Sequence, residues 1–338
     1  MVYMKIVLSH GSALEYWRSA PARQRACAGA TRMQVLPSKA PTRRDAALML
    51  LDAGLDLEVP LHVLVATEAR KARVKHLCVH STSQLPARSL MRIDDDVLTV
   101  CPELCFVQMA TVLPLAELIR VGYELCGGYA DFEGVRFGCE PVTTPAKLRA
   151  YLRRAKGVHG VKKARRALGY VLADSASPME TTLAMILSLP YAMGGYSLPA
   201  PQLNGRVEPR RQANGLLNQS FYVCDLLWRS AGVAVEYDST SFHSGAQRMA
   251  HDARRRGDLS VLGVTVETAT ADQVYNWTQL DKLVGRLARL LKVRAKPLEA
   301  RRFAAQQELR ACLLGGFGGD NASPRVRLSD VVRSGFAA

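Results

Sequence analysis

FYVCDLLW at residues 221–228 and VAVEYD at residues 233–238 decide the predicted fold of the C-terminal half of the chain. Apolar and polar residues alternate along both stretches, which predicts an adjacent pair of strands. Asp225 lies in the first strand, and Glu236 and Asp238 lie in the second. Since residues i and i+2 of a strand point to the same face, Glu236 and Asp238 project together. Pairing of the two strands then brings Asp225 alongside them.

Helices are predicted on both sides of this strand pair. Ser177 and Glu180 form a capping-box pattern with Pro178 at the first helical position, ahead of an apolar helical stripe. Further along, the chain predicts a helix at 251–263, a strand at 264–268 and an amphipathic helix ending near Leu291. Together with shorter mixed elements before residue 140, this order predicts an α/β (α+β) fold, with a mixed sheet flanked by helices in the C-terminal domain.

The acidic residues of this region suggest a metal site. Asp225, Glu236 and Asp238 are predicted to share one small volume, with Glu180 on the helix before them and His243 shortly after. Crowded carboxylates repel each other unless a proton or a divalent cation lies between them. Oxygen ligands suit Mg²⁺ or Mn²⁺.

Each of these residues also has a plain alternative role. Helix capping alone explains Glu180. A strand end that emerges into solvent tolerates Glu236 and Asp238, and a single histidine such as His243 is often an ordinary surface group. Asp225 is the hardest to explain otherwise, because a carboxylate within an apolar strand is costly unless it is paired or metal-bound.

Charge and composition indicate a globular protein with an anionic partner. The chain has 338 residues, a length that favours two domains. With 48% hydrophobic and 22% charged residues, its composition is that of a globular protein and not of a disordered one. Lys and Arg outnumber Asp and Glu by 45 to 30, a surplus of +15 that attracts polyanions such as nucleic acid. A genome that prefers arginine is the alternative explanation of this surplus.

Two basic segments are the predicted nucleic-acid contacts. Residues 147–166 hold nine Lys or Arg and no acid, with Leu148 and Leu152 in an apolar stripe, which predicts a helix with one packed face and one cationic face. A solvated helical linker is the alternative there, as a solvated helix face is for the second segment. The predicted phosphate contacts are Lys162, Lys163, Arg165 and Arg166 in the first segment and Arg254, Arg255 and Arg256 in the second.

The predicted organisation has four parts: an N-terminal α/β domain (1–143), a basic helical linker (144–175), the acidic C-terminal domain (176–295), and a helix with a flexible tail (296–338). The N-terminal part contains strand candidates at 61–66 and 97–101. Three of its histidines, His62, His76 and His80, are predicted to be ordinary core or surface groups rather than ligands.

The cysteines indicate reduced thiols. The eight cysteines include no CxxC pair, and no apolar signal segment or stretch of about 18 apolar residues occurs, which predicts a cytoplasmic protein without a membrane span. The spacing of Cys101, Cys105, Cys126 and Cys139 is poor for a zinc knuckle, so buried thiols are expected.

The acidic motifs resemble a known family. Ser177-Pro178-x-Glu180, Asp225, Glu236-Tyr237-Asp238, His243 and the run His251-Asp252-Ala253-Arg254-Arg255, spread over roughly residues 176–292, are similar to the small endonuclease-like domain related to very-short-patch mismatch repair endonucleases. That domain is a branch of the PD-(D/E)XK superfamily. More weakly, SHGSALEYWR (9–18) and LHVLVA (61–66) resemble the amino-terminal regions of actinobacterial proteins related to abortive-infection antitoxins.

The resemblance implies a metal-dependent DNA endonuclease. Asp225 and Glu236 would bind Mg²⁺ or Mn²⁺, Glu180 and Asp238 would be supporting acids, and His243 would be general base or leaving-group acid. A DNA-binding or antitoxin-like regulator with an inactive nuclease fold is the alternative, and RNA is an alternative substrate. Asp238 replaces the lysine of the ExK motif and Ser239 stands where the branch has Gly. The positive charge of the motif must therefore come from another residue, for which His243 is the nearest candidate.

Overall fold

The computed structural model describes residues 5–27, 32–33, 35–66, 76–209, 217, 219–238, 246–294, 300–315 and 326–334. The predicted mixed α/β class is confirmed, with mixed sheets flanked by helices. The chain forms two compact units, one of residues 1–171 with 319–338 and one of residues 172–318. Each helix in the described ranges is too short or too polar to cross a bilayer.

The first unit is built on a six-stranded sheet. Its strands are β1 (Ile6–Leu8), β2 (Arg32–Met33), β3 (Leu61–Val65), β4 (Leu77–Ser81), β5 (Leu90–Arg92) and β6 (Val97–Val100), in the order β2-β5-β6-β1-β3-β4. β1 is parallel to β6 and antiparallel to β3, and β3 is parallel to β4. Every residue of β1 and β6 is buried, as expected for strands covered on both faces. The strands predicted at 61–66 and 97–101 are therefore confirmed.

Helices of the first unit cover this sheet. They are α1 (His10–Arg18), α2 (Ala20–Cys27), α3 (Arg43–Asp52), α4 (Pro102–Met109), α5 (Leu115–Leu125), α6 (Pro145–Arg154) and α7 (Val161–Leu168), and a small hairpin of β7 (Tyr129–Asp131) and β8 (Val135–Phe137) precedes α6. Trp17 fixes α1 to the sheet, because its buried indole donates from Nε1 to the Val100 carbonyl at 2.9 Å. Arg18 and Glu124 form a two-pronged ion pair between α1 and α5, at 2.8 and 2.9 Å.

The basic segment forms two helices of the first unit. Leu148 and Leu152 of α6 and Ala164 of α7 are buried, so the segment packs into the unit. The helices are separated by Gly157 and Gly160, whose φ angles of 82° and 87° are left-handed and end a regular helix. The expected linker at 144–175 thus lies almost wholly inside the first unit, and the division falls at 171/172 rather than at 143/144.

The second unit contains a four-stranded sheet. Its elements are α8 (Pro178–Ser188), β9 (Gln202–Val207), β10 (Tyr222–Trp228), β11 (Val233–Asp238), α9 (Ala246–Val261), β12 (Thr265–Thr270), α10 (Ala271–Tyr275), α11 (Trp277–Leu290) and α12 (Ala300–Leu314). The sheet order is β12-β11-β10-β9, with β9, β10 and β11 successively antiparallel and β12 parallel to β11. The predicted pairing of residues 221–228 with 233–238 is confirmed.

The last part of the chain divides between the two units. α12 belongs to the second unit, whereas α13 (Leu328–Arg333) belongs to the first. Arg327, just before α13, pairs with Glu15 at 2.6 Å, and the Leu328 amide donates to the Leu57 carbonyl at 3.0 Å. The Gly-rich tail expected at 315–320 lies outside the described residues except for Gly315.

Candidate functional site

Asp225 and Glu236 face each other across the central strand pair of the second unit. The last register pair of the two strands is Leu226 with Val235, and Asp225 and Glu236 are the next residue beyond it on each strand. The Tyr237 amide donates to Asp225 Oδ2 at 2.8 Å, which fixes the carboxylate against β11. Asp238 ends β11 two residues beyond Glu236 and pairs in register with Thr270 of β12. The predicted pairing of the two strands is present. Among the described residues, however, the ligand atoms of no three of the predicted acids all lie within 4.8 Å of one another, so the predicted crowding of three carboxylates in one small volume is not found.

Glu180 approaches this pair from the start of α8. The Ser177 side chain accepts from the Glu180 amide at 3.1 Å, so the predicted N-cap is present. Glu180 Oε2 in turn accepts from the Ala176 amide at 2.9 Å and from Asn204 Nδ2 at 2.7 Å. Glu180 therefore ties α8 to β9, in addition to any role beside Asp225.

The three carboxylates share one electrostatic environment. Burial raises the pKa of Glu236 to about 7, opposed by Arg255 and reinforced by the negative charge of Asp225. Burial also raises the pKa of Asp225, against the Tyr237 amide and Arg255. The pKa of Glu180 is raised first by burial, and the charge of Asp225 adds to this increase. The negative charge of Asp225 thus raises the pKa of both glutamates, and the site favours a bound proton or cation.

Arg255 is a cation of this site. Its Nη1 and Nη2 each lie 2.6 Å from an oxygen of Glu236, and Nη2 also donates to the Val223 carbonyl. Arg254 and Arg256 are exposed, because successive residues of α9 point about 100° apart. The pairing depends on how α9 packs on the sheet, so the sequence pattern did not reveal it.

Two other groups of predicted residues have different outcomes. His243, like Ser239, lies outside the described residues. On α7, Lys163 donates to the Leu113 carbonyl and Arg165 to the Leu152 carbonyl, at 2.8 Å for Arg165. Lys162 and Arg166 of the same helix are exposed.

Three histidines of the first unit come together, which the sequence analysis did not predict. In the described part of the chain, His10, His62 and His80 are the group of His, Cys, Asp or Glu side chains whose ligand atoms all lie within 4.8 Å of one another. His62 Nδ1 and His80 Nε2 are 2.9 Å apart, and the rings of His10 and His80 stack at 3.7 Å between centroids. The residues line a cleft of about 1060 Å³ in the first unit.

Burial keeps these imidazoles neutral. It lowers the pKa of His10 to about 3, with His80, His62 and His159 adding to the effect. It lowers the pKa of His80 to about 4, with His62 adding to the effect, and it lowers the pKa of His62. Of these residues, His62 lies in the strand candidate at 61–66, whereas His80 lies on β4, which was not predicted. His10 gave no sequence signal, because its inclusion depends on the packing of α1 beside β3.

The comparisons with known proteins identify no family for this chain. No family model, curated protein or solved structure matches this chain. The assignment of a function therefore rests on the described side chains and their chemistry.

Proposed function

We propose that the protein is a metal-dependent endonuclease that hydrolyses DNA phosphodiester bonds, with Asp225 and Glu236 as ligands of Mg²⁺ or Mn²⁺. The observation that supports this most strongly is that Asp225 and Glu236 lie directly beyond the Leu226–Val235 pair, at the end of the β10–β11 ladder, with Glu180 close enough for its pKa to respond to Asp225. A restriction-endonuclease-like role for the second unit belongs to the same proposal.

The donor set fits a hard divalent cation. Carboxylate oxygens are the ligands preferred by Mg²⁺ and Mn²⁺. Among the described neighbours of the three acids, Arg255 supplies one positive charge against three carboxylates. A divalent ion would balance the remaining charge and would let all three acids ionise at neutral pH.

A bound ion would polarise the phosphodiester and lower the pKa of an attacking water. Asp225, fixed by the Tyr237 amide, and Glu236 would hold that ion on the sheet. Arg255 supplies the positive charge that the missing ExK lysine does not, and its planar guanidinium suits a phosphate oxygen. Glu180 and Asp238 support the site, and His243 is the proposed proton-transfer group.

The rest of the basic surface would hold the DNA backbone. Arg254 and Arg256 of α9 and Lys162 and Arg166 of α7 are exposed and suited to phosphates. Lys163 and Arg165 each donate a hydrogen bond to a backbone carbonyl. Their positive charges therefore have less freedom to follow a phosphate.

A DNA-binding regulator without catalysis is the second candidate. The observation that favours it is the two-pronged pairing of Glu236 with Arg255, which satisfies this carboxylate without a metal. Asp238 in place of the expected lysine points the same way.

Nicking of supercoiled plasmid separates the two candidates. The enzyme should nick plasmid with Mg²⁺ or Mn²⁺ and stop when EDTA is added, whereas a regulator should retard DNA in a gel equally with and without EDTA. Parallel reactions on single-stranded RNA test the alternative substrate. Gel retardation without nicking under any metal condition would contradict the proposed nuclease.

A further inference from the structure

The fold of the first unit brings three distant histidines to one wall of the cleft. β3 and β4 are parallel with Leu64 opposite His80, so His62 and His80 lie on the same face of adjacent strands. His10 directly follows Ser9 after β1, the other neighbour of β3. Residues separated by as many as 70 positions in sequence are thus juxtaposed by strand order, as ligands of a protein metal site commonly are.

The backbone of His10 is held in an unusual conformation. Its φ of 46° is left-handed, which is unfavourable for a residue with a side chain. The His10 amide donates to Gln108 Oε1 at 3.0 Å, and the His62 amide donates to Ser12 Oγ at 2.9 Å. These bonds fix the backbone that carries both rings, and such local strain is typical of functional positions.

The ring nitrogens are placed for chelation. Zn–N bonds of 2.0–2.1 Å at tetrahedral angles put ligand nitrogens about 3.3 Å apart. His62 Nδ1 and His80 Nε2 are 2.9 Å apart, close to that separation. His10 Nδ1 lies 3.2 Å from Ser9 Oγ, which leaves its Nε2 as the ligand atom. A hydrogen bond from the second ring nitrogen is the usual support of a metal-binding histidine.

The cleft provides room beside the histidines. Its volume is about 1060 Å³, and its lining includes the hydroxyl side chains of Ser81, Thr82 and Thr111 together with Gln108 and His159. Three protein ligands with a fourth position open to solvent are typical of catalytic zinc sites, whereas structural sites have four protein ligands. Neutral imidazoles suit Zn²⁺, Co²⁺ or Ni²⁺ better than Mg²⁺.

We propose that His10, His62 and His80 form a transition-metal site of the Zn²⁺ class in the first unit, with one coordination position open to the cleft for water or a small anion. This site is chemically distinct from the carboxylates of the second unit. Its existence does not depend on the nuclease proposal.

Cobalt titration tests the site directly, because tetrahedral Co²⁺ gives intense visible absorption that octahedral Co²⁺ lacks. The metal-free full chain with Asp225→Asn is used throughout, so that the carboxylate site contributes little. We expect one equivalent of Co²⁺ to give the tetrahedral spectrum, Zn²⁺ to abolish it, and azide to shift it through the open position. His80→Ala and His62→Gln should each weaken Co²⁺ binding by at least about tenfold.

Two controls make the result specific. Cys78→Ser alters another side chain of the same cleft, and His251→Ala removes an exposed histidine of the second unit, so both should bind Co²⁺ as the parent does. Circular dichroism confirms folding of each variant, and His62→Gln preserves side-chain bulk if His80→Ala unfolds. An absent tetrahedral spectrum, or one that both histidine variants retain in full, would overturn the proposal. A spectrum insensitive to azide would overturn the open position.

Discussion

Glu180 has a structural role in the fold and a proposed role in catalysis, which substitutions can separate. Its carboxylate accepts from the Ala176 amide and from Asn204, which ties the start of α8 to β9. The same carboxylate lies within the electrostatic range of Asp225. The sequence pattern offers capping and catalysis as alternatives. The structure has Ser177 as the N-cap, but the Glu180 carboxylate accepts from the Ala176 amide instead of closing a capping box on the Ser177 amide.

Glu180→Ala should destabilise the second unit by about 1–3 kcal/mol, because two donors lose their buried acceptor. Glu180→Gln keeps an acceptor oxygen and should cost less, yet it removes the negative charge and should slow plasmid cleavage. Urea unfolding and nicking rates measure the two effects. Ser177→Ala is the control, since it should cost about 1 kcal/mol and retain cleavage. Cleavage by Glu180→Gln at the wild-type rate would remove this carboxylate from the site.

Sequence periodicity predicted some neighbours of the site and not others. The i, i+2 rule and the strand pairing gave the proximity of Asp225 and Glu236, because both depend on local backbone geometry. The pairing of Arg255 with Glu236 depends on the packing of α9 over 19 positions of chain separation. The pattern of alternating residues carries no information about that packing, nor about the left-handed backbone of His10.

Helices and strands were predicted where apolar periodicity is strong. α8, β10, β11, α9, β12 and α11 all occur near their expected positions. β9 was missed because QLNGRV contains Asn204 and Gly205, which disfavour a strand. Gly205 is needed there, since a Cβ atom would come within 2.7 Å of Leu227. The basic segment was predicted as one helix, but Gly157 and Gly160 divide it.

The two sides of α7 should respond differently to substitution. Lys162→Ala with Arg166→Ala should weaken DNA binding and reduce the slope of log K against log salt by ~0.9 per lost phosphate contact. Lys163→Ala should instead lower the stability of the first unit, because Lys163 donates to the Leu113 carbonyl. Gel retardation at several salt concentrations and thermal unfolding measure these effects. A salt slope unaffected by the double substitution would make α7 an ordinary solvated helix.

The division of the chain follows packing rather than composition. The turn-rich sequence at 141–145 predicted a boundary, but α6 and α7 bury Leu148, Tyr151 and Ala164 in the first unit. The return of α13 to the first unit depends on contacts such as Arg327 with Glu15, across 312 positions of sequence. Contacts at such separation are not visible in local patterns.

The stability of the metal-free first unit should decrease as the pH falls. Burial places the folded-state pKa of His10 at about 3 and of His80 at about 4, below the ordinary value of 6.5. Between pH 6.5 and about 4, these histidines therefore bind more protons in the unfolded chain than in the folded one. Their contribution to stability is fully present above pH 6.5 and is lost as the pH falls through this window. Urea unfolding in EDTA, with Trp17 as the fluorescent reporter after Trp228→Phe and Trp277→Phe, measures this dependence.

His10→Asn should flatten that pH dependence, whereas His251→Asn, which changes an exposed histidine, should leave it unchanged. The difference between His10→Asn and its parent isolates the imidazole from carboxylates that titrate in the same range. Identical pH profiles for these two proteins would show that His10 is not held neutral by the fold.

The most direct test of the proposed nuclease is plasmid nicking in Mg²⁺ by the wild type, Asp225→Asn and Glu236→Gln, prepared side by side. Both variants retain side-chain size and remove a metal-binding charge, so folding and DNA affinity, which comes mainly from Lys and Arg, should persist. The account predicts metal-dependent nicking by the wild type and, for both variants, nicking no faster than in buffer alone. Wild-type rates from both variants would contradict it.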